Sequence, residues 1–368
     1  MEKKEELKIA FKEKLSQAIN ILDRPLLLLF VRQTNTNMNM FLLDTHITRP
    51  TAVVIFPDSK PVIFVGAIEH SSLEPTSNLC DLRVYDGSLK TLMKELKVIL
   101  SGKEVYVEYC PGVPSLDRTL HSIYEHLSEF LTPLSAENIL FELRTIKTPV
   151  EIEFIEKACQ ITNKILTDVK GIIKPGLWCD DILMFILENI AKVGILPSFD
   201  PIVTYGDEAS EPHPKPEAER PLKDGDLLIL DVGVLYRGYA SDLTGTYLVG
   251  GDVREHHFYK KWFKLEEELL SQNLNGKLPK TLAVELNKIS EEIDVLKLQK
   301  HAYGHGLGVD VHDVYPLIST AEAPFDNVPF RDNMVFTFEP GFYGEFGGFR
   351  FEYDYMISSG MAVKLSGL

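Results

Sequence analysis

Apolar and polar positions along this chain switch between a helical and a strand period, and the switches mark its elements. "KKEELKIAFKEKLSQAI" near the N-terminus, "LKTLMKELKVIL" from Leu89 and "CDDILMFILENIAKVG" ending at Gly194 carry helical spacing. "PLLLLFV" from Pro25 to Val31 is an apolar run of strand length, and "EVYVEY" is strand-like. "TAVVIFPDSKPVIFVG" reads as a hairpin turning at Pro57, Asp58 and Ser59. In "RTIKTPVEIEFIEKACQITNKIL", Thr148, Pro149 and Glu151 supply an N-cap, a first-turn proline and the acid of a capping box. They predict a long helix ending near Gly171. Helical spacing returns in "EHHFYKKWFKLEEELLSQ" and "LPKTLAVELNKISEEI", and strand-like segments return from Tyr303. The pattern divides the chain into a small α/β domain, residues 1–143, and a larger domain, residues 144–368.

The larger domain repeats itself. The order helix, helix, hairpin occurs twice, and "KDGDLLILDVG" (Lys223–Gly233) lies over "RDNMVFTFEPG" (Arg331–Gly341), with Asp231 on Glu339. In the second strands Gly238 precedes Asp242 by four residues and Gly348 precedes Glu352 by four, so each copy presents two acids. In the first hairpin, "LLILDVGVLYRGYASDLTGT", a turn at Tyr236-Arg237 would set Asp231 opposite Asp242. Like charges so placed repel by roughly 0.2–1 kcal/mol, and more when buried.

Bulk composition narrows the setting without choosing a function. With 45% hydrophobic and 25% charged residues in 368, the chain is ordinary globular material, long enough for two domains. A net charge of −16 argues against nucleic acid or an anionic membrane as partner, since phosphate binding needs a basic patch. Four scattered cysteines, Cys80, Cys110, Cys159 and Cys179, form no CxxC pair, which argues against a disulfide framework or a cysteine zinc site. The charged N-terminus lacks a signal-peptide core and "PLLLLFV" is too short to span a bilayer, so a cytoplasmic protein is expected. Met38 and Met40 in "TNTNMNM" read as core or loop residues.

If the two copies pack about a local two-fold, Asp231, Asp242, Glu339 and Glu352 converge. Four ionised carboxylates in one cleft demand cations or protons. One divalent ion leaves a net −2 and two reach neutrality, which favours a dinuclear site. His305, between Gly304 and Gly306, can be closely approached and supplies a neutral donor beside the four acids. Carboxylates with one imidazole suit Mn, Co, Fe or Zn in a catalytic site. Two such ions can share a hydroxide and polarise a carbonyl or a phosphoryl oxygen, so a phosphoesterase stays open at this point.

The segments "LLILDVGVLYRGYASDLTGT", "HAYGHGLGVDVHD", "FTFEPGFY" and "GGFRFE" resemble the signatures of the pita-bread metallopeptidases, the family of methionine aminopeptidases, aminopeptidase P and prolidase. The resemblance runs from Arg144 to the C-terminus and implies an α+β fold: a C-terminal pita-bread domain of duplicated α-α-β-β units with a smaller N-terminal α/β domain of the creatinase/prolidase type. It implies metal ligands Asp231, Asp242, His305, Glu339 and Glu352 for two divalent ions per chain, manganese foremost, with Co, Zn or Fe as alternatives. Asp242 and Glu352 would bridge both ions. His213 and His312 match the substrate-facing histidines, Glu339 the proton shuttle, His301 a histidine four residues before the ligand, and Arg350 the arginine that orients Glu352. His256 and His257 match nothing and are expected on a solvated helix face.

An N-terminal domain of this size resembles prolidase and aminopeptidase P rather than methionine aminopeptidase. The resemblance therefore implies a homodimeric exopeptidase that hydrolyses the Xaa-Pro bond of dipeptides or short peptides through a metal-bridging hydroxide. Shape selects such a bond, because proline offers no N–H to a backbone-reading site. A metal-free creatinase-like C–N hydrolase and a non-catalytic binding protein of the same fold are the alternatives. Two positions depart from the family pattern: Gly245 stands where an arginine is usual, and Tyr353 where an acid commonly follows Glu352.

Overall fold

A computed structural model describes residues 2–31, 35–43, 45–73, 76–212 and 220–365. The chain separates into two compact units, residues 1–151 and 152–368. The segment between Leu143 and Glu151 is tied to the N-terminal helix Glu2–Ile21. Lys14 Nζ donates to the Leu143 carbonyl at 2.7 Å and pairs with Glu151 at 2.7 Å, and Gln17 Nε2 donates to the Ile146 carbonyl at 2.8 Å. Glu151 Oε2 also accepts from the Thr148 N–H at 2.6 Å, the expected acidic half of the capping box.

The first unit is built on a six-stranded sheet. Its order is Asp81–Tyr85, Val62–Gly66, Thr51–Ile55, Leu26–Phe30, Glu104–Val107, Thr132–Ser135. The predicted hairpin pairs antiparallel, Ala52 with Phe64 and Val54 with Val62. Leu27, Leu29, Val54 and Phe64 form a core with Leu92, Leu96 and Leu100 of the helix Leu89–Leu100. Met38 and Met40 are buried, the core role expected of them.

In the second unit the helices Pro149–Lys170 and Cys179–Val193 set Ile165, Leu166, Ile182 and Ile186 against Leu228, Leu230 and Leu243 of the first hairpin. Gly194 stops the second helix with φ +75°, a left-handed cap that glycine adopts without strain. Helices His257–Ser271 and Pro279–Glu292 precede the second hairpin. Helix, helix, hairpin therefore occurs twice, as the sequence pattern implied.

The registers differ from the expected one in the second strands. In the first hairpin Val232 faces Leu243 and Asp231 faces Thr244, not Asp242. The turn is Arg237-Gly238, with φ +52° and +84°, between Tyr236 and Tyr239. Positive φ at both turn positions matches the twist of the flanking strands, and Gly in the second place makes it accessible. In the second hairpin Phe338 faces Tyr353 and Gly341 faces Arg350. That register, continued between them, sets Glu339 opposite Glu352. Asp231 thus corresponds to Glu339, but the counterpart of Glu352 is Thr244, and that of Asp242 is Arg350.

Thr244 and Glu352 also pair with each other across the two copies. The Thr244 N–H donates to the Glu352 carbonyl at 3.3 Å, and the Glu352 N–H to the Thr244 carbonyl at 3.0 Å. Flanking contacts follow the same local two-fold. The Asp242 N–H donates to Asp354 Oδ2 at 3.1 Å, and the Arg350 N–H to Thr246 Oγ1 at 2.9 Å.

Between Val232 and Val234 the first hairpin leaves one sheet for another, and Gly233 makes that bend. A Cβ there would lie 2.1 Å from both Ser198 Oγ and the Ser241 carbonyl oxygen. Gly233→Ala is expected to destabilise the protein by about 1–3 kcal/mol, as overpacking does. The denaturant midpoint measures this; an unchanged midpoint would contradict the packing described.

Candidate metal centre

Strand alternation aims the acids at one cleft. Asp231 comes from the strand Leu227–Val232 and Asp242 from just before the strand Leu243–Leu248. Glu339 follows the strand Val335–Phe338, and Glu352 lies between the strands Gly347–Arg350 and Tyr353–Ser358. His305 sits in the short strand Gly304–Gly306. All five, with His301, His312 and Arg350, line one cavity of about 370 Å³ whose other walls include Phe199, Ile202, Val311 and Leu317. His213 lies outside the described residues.

Donor atoms converge without hydrogen-bonding one another. Asp242, His305 and Glu352 each offer an atom within 4.8 Å of the other two. The His305 Nδ1–H donates to the Gly306 carbonyl at 3.0 Å, which leaves Nε2 as the lone-pair nitrogen. Nε2 lies 3.6 Å from Asp242 Oδ2 and 3.4 Å from Glu339 Oε1. Asp231 Oδ1 is buried with no hydrogen-bond partner. A buried carboxylate oxygen without a donor is costly, and a cation resolves it. This donor set of buried acids and one imidazole lone pair fits divalent cations.

Burial pushes Asp242 well above the usual carboxylate range, and repulsion from Asp231, Asp354 and Glu339 adds to it. Glu352 rises well above that range for the same reasons, with Asp242 the foremost neighbour. Burial lifts Glu339 to about 8 against the pull of Arg350. His305 is driven down to about 3 by burial and by His312, so its imidazole is neutral and free to donate its lone pair. The rings of His305 and His312 lie 4.2 Å apart.

Arg350 is placed differently from the expected partner of Glu352. Its Nη2 contacts Asp231 Oδ2 at 2.5 Å. Glu352 is reached through Thr244, whose Oγ1 accepts from Arg350 Nε at 3.2 Å and donates to Glu352 Oε2 at 2.7 Å. Arg350 Nη1 donates to the Tyr343 hydroxyl at 3.1 Å, and that hydroxyl lies 2.9 Å from His301 Nε2. The Ala302 carbonyl beside His301 Nδ1 only accepts, so Nδ1 carries the proton and Nε2 accepts from the tyrosine hydroxyl. His301 Nδ1 lies 2.8 Å from that carbonyl and 3.6 Å from Glu339 Oε2.

Thr244, Tyr343 and Asp354 were missed as residues of the site. Tyr343 stands in "FTFEPGFY" and Thr244 within the quoted hairpin, but only the register shows what they touch. Asp354 is signalled by alternation alone, two positions after Glu352. Buried, with its acidity weakened to about 7 by burial, it accepts from the Asp242 N–H and from the Cys159 thiol at 3.1 Å.

Residues 153–359 match the profile of metallopeptidase family M24. The chain belongs to family M24. Membership of a metallopeptidase family implies use of divalent metal. A Xaa-Pro dipeptidase of Pyrococcus furiosus is 30% identical over 234 residues, covering 62% of this chain and 65% of that protein. The chain spans less than two thirds of the first curated relatives it matches, 63% of each of two Mycoplasma proteins. The prolidase of Pyrococcus horikoshii superposes with TM-score 0.78 at 23% identity, over 96% of this chain and 98% of that one. The X-Pro aminopeptidase of Thermotoga maritima does so with TM-score 0.81 at 21% identity, over 96% and 98%. These likenesses show the pita-bread fold.

The two M24 departures lie on the other face of the sheet. Gly245 faces away from the acids with Tyr247, whose ring would lie 3.0–3.2 Å from a Cβ at 245. Glycine there lets the Tyr247 ring cover the strand and its hydroxyl donate to the Leu166 carbonyl at 3.3 Å. His256 also departs from its expected place. It caps the helix His257–Ser271 and stacks on Phe349 at 5.4 Å, half-buried, while His257 is exposed.

An acid with a raised folded pKa stabilises the native state fully below its unfolded pKa, and that contribution is lost as pH rises through the folded value. For Glu339 the window runs from 4.5 to about 8. Metal-free protein should lose stability across it by up to about 1.4 kcal/mol per pH unit for each proton. Saturating divalent cation should flatten the slope. Denaturant unfolding at several pH values reads this; a flat metal-free profile would contradict the electrostatics described.

Proposed function

We propose that the chain is a dinuclear-metal exopeptidase that hydrolyses the Xaa-Pro bond of dipeptides or short peptides. The observation carrying this reading is the convergence of Asp242, His305 and Glu352 within 4.8 Å, with Asp231 and Glu339 in the same cavity. Its volume, about 370 Å³, suits a short peptide. Family membership and the Xaa-Pro dipeptidase relatives support the substrate class.

Asp231, Asp242, His305, Glu339 and Glu352 would hold two divalent ions, manganese as the native pair. When bound, such ions supply a hydroxide shared between them and polarise the scissile carbonyl. Glu339, whose proton is held to about pH 8 without metal, moves a proton to the departing proline nitrogen. His312, at the cavity edge beside His305, faces the substrate and stabilises the developing oxyanion, with His213 as the second such group. His301, set by Tyr343, offers its Nδ1–H side towards Glu339, and Arg350 orients the acids from behind. We assign residues 1–143 as an N-terminal domain of the creatinase/prolidase type and 144–368 as the catalytic domain, acting as a cytoplasmic homodimer. Among the described residues no helix is long and apolar enough to cross a membrane.

Asp242→Asn should lower metal-dependent turnover by more than roughly a hundredfold, beyond the effect usual for groups behind the ligands, with circular dichroism unchanged. Wild-type protein should bind two divalent ions per chain by elemental analysis. Mn- and Co-loaded enzyme should then be offered Xaa-Pro dipeptides and Xaa-Pro-Yaa tripeptides. Cleavage of dipeptides alone marks a dipeptidase, and cleavage of tripeptides an aminopeptidase. Turnover of neither, or full activity in Asp242→Asn, would sink the proposal.

A further inference from the structure

Behind the acids, on the opposite face of the same strands, lies a second and larger cleft of about 830 Å³. Alternation explains its floor. Arg350 and Glu352 line the first cavity, so Phe351 and Tyr353 face away from it, and with Gly245 and Tyr247 of the neighbouring strand they line the second. Both departures from the M24 pattern, Gly245 and Tyr353, are therefore in one place. The walls add Tyr259 and Phe263 of the helix His257–Ser271.

Three features give this cleft the chemistry of a ligand site. First, ring faces meet there: Phe351 and Tyr353 stack at 6.4 Å, and Tyr259 meets Phe351 edge-on at 5.9 Å. Second, the Tyr353 residue is only 4% exposed, and its hydroxyl has no protein hydrogen-bond partner among the described residues. Tyr247 and Tyr355, on the same strands, both have one. Third, the lining is cationic in a chain of net charge −16: Lys170, Arg254 and Lys364 stand against one acid, Asp252. Arg254 pairs with Asp252, and Lys364 pairs with Glu266 while its ammonium lies 3.6 Å over the Tyr353 ring. Lys170, exposed at the rim, has no carboxylate within ion-pair distance among the described residues, and Asp252 is the acid whose charge it feels.

We propose that this cleft is a second ligand site, for a small aromatic carboxylate, on the reverse face of the sheet that carries the acids. The ligand ring lies against Phe351, Tyr353 and Tyr259, the Tyr353 hydroxyl donates to it, and Lys170 meets its charge. An aromatic cation is disfavoured by Lys170, the one basic side chain of the lining that is not held in an ion pair. A long side chain at position 245 would project into this space, which glycine leaves open.

Calorimetry of the full chain with 4-hydroxyphenylacetate tests the site, with tyramine as its cationic counterpart. The carboxylate should bind one per chain, with the same affinity in metal-free and Mn-loaded protein, and tyramine should not bind. Lys170→Glu, at an exposed rim position, should weaken binding about fivefold, the upper scale of an exposed ion pair. Tyr353→Phe keeps the ring and should weaken it about fivefold through the lost hydrogen bond. Gly245→Arg should abolish it, and the other two variants decide the matter if Tyr247 cannot yield to the new side chain. No binding, equal binding of tyramine, binding only with metal present, or affinity untouched by both Lys170→Glu and Tyr353→Phe would overturn the proposal.

Discussion

Crowding of carboxylates out of water governs this unit. Asp231, Asp242, Glu352 and the neighbouring Asp354 are all buried, and Glu339 is nearly so. Burial and neighbouring charge raise the cost of ionising Asp242, Glu339, Glu352 and Asp354, and one guanidinium, Arg350, answers the cluster from within the protein. Its fork spends one arm on Asp231, one on Thr244 and one on Tyr343, so a single cation fixes an acid directly, a second acid through a hydroxyl, and a histidine through a phenol. That division leaves one oxygen of Asp231 and the Nε2 of His305 unclaimed. The surplus of acceptors over donors is what makes the cleft a receptor for cations rather than a closed ion-pair network.

The scaffold tolerates this surplus because the acids lie on or beside hydrogen-bonded strands. The two hairpins meet at Thr244 and Glu352, whose peptide groups pair across the repeat. Strand pairing on either side of Asp242, Glu339 and Glu352 fixes where these donors stand. The front of the sheet can then be polar while its back is packed with Tyr247, Phe351, Tyr353 and Trp262.

Much of this was legible in the chain. Helical period placed the elements at Leu89–Leu100, Pro149–Lys170 and Cys179–Val193 closely, because each has a wide apolar face and clear stop signals. The acids and His305 stood out because charged residues in apolar strands need a reason. Register did not stand out. Sliding the first hairpin by two residues keeps every side chain on its face, so periodicity is blind to it, and the choice rested on the backbone angles of Arg237 and Gly238. Partners of Arg350 were hidden for a similar reason: a long side chain reaches several acids, and only the fold says which. Gly245 looked like a loss until Tyr247 was seen to need its space.

The local two-fold has a consequence for how such a unit can arise. At one pair of related positions it sets Asp242 against Arg350, and at another Thr244 against Glu352. Two identical halves would carry either two aspartates or two arginines at the first pair. The former would leave the cluster without its guanidinium, and the latter would remove an acid from it. A symmetric assembly of identical chains therefore cannot build this cleft, and joining the halves in one polypeptide is what allows their opposite charges to diverge.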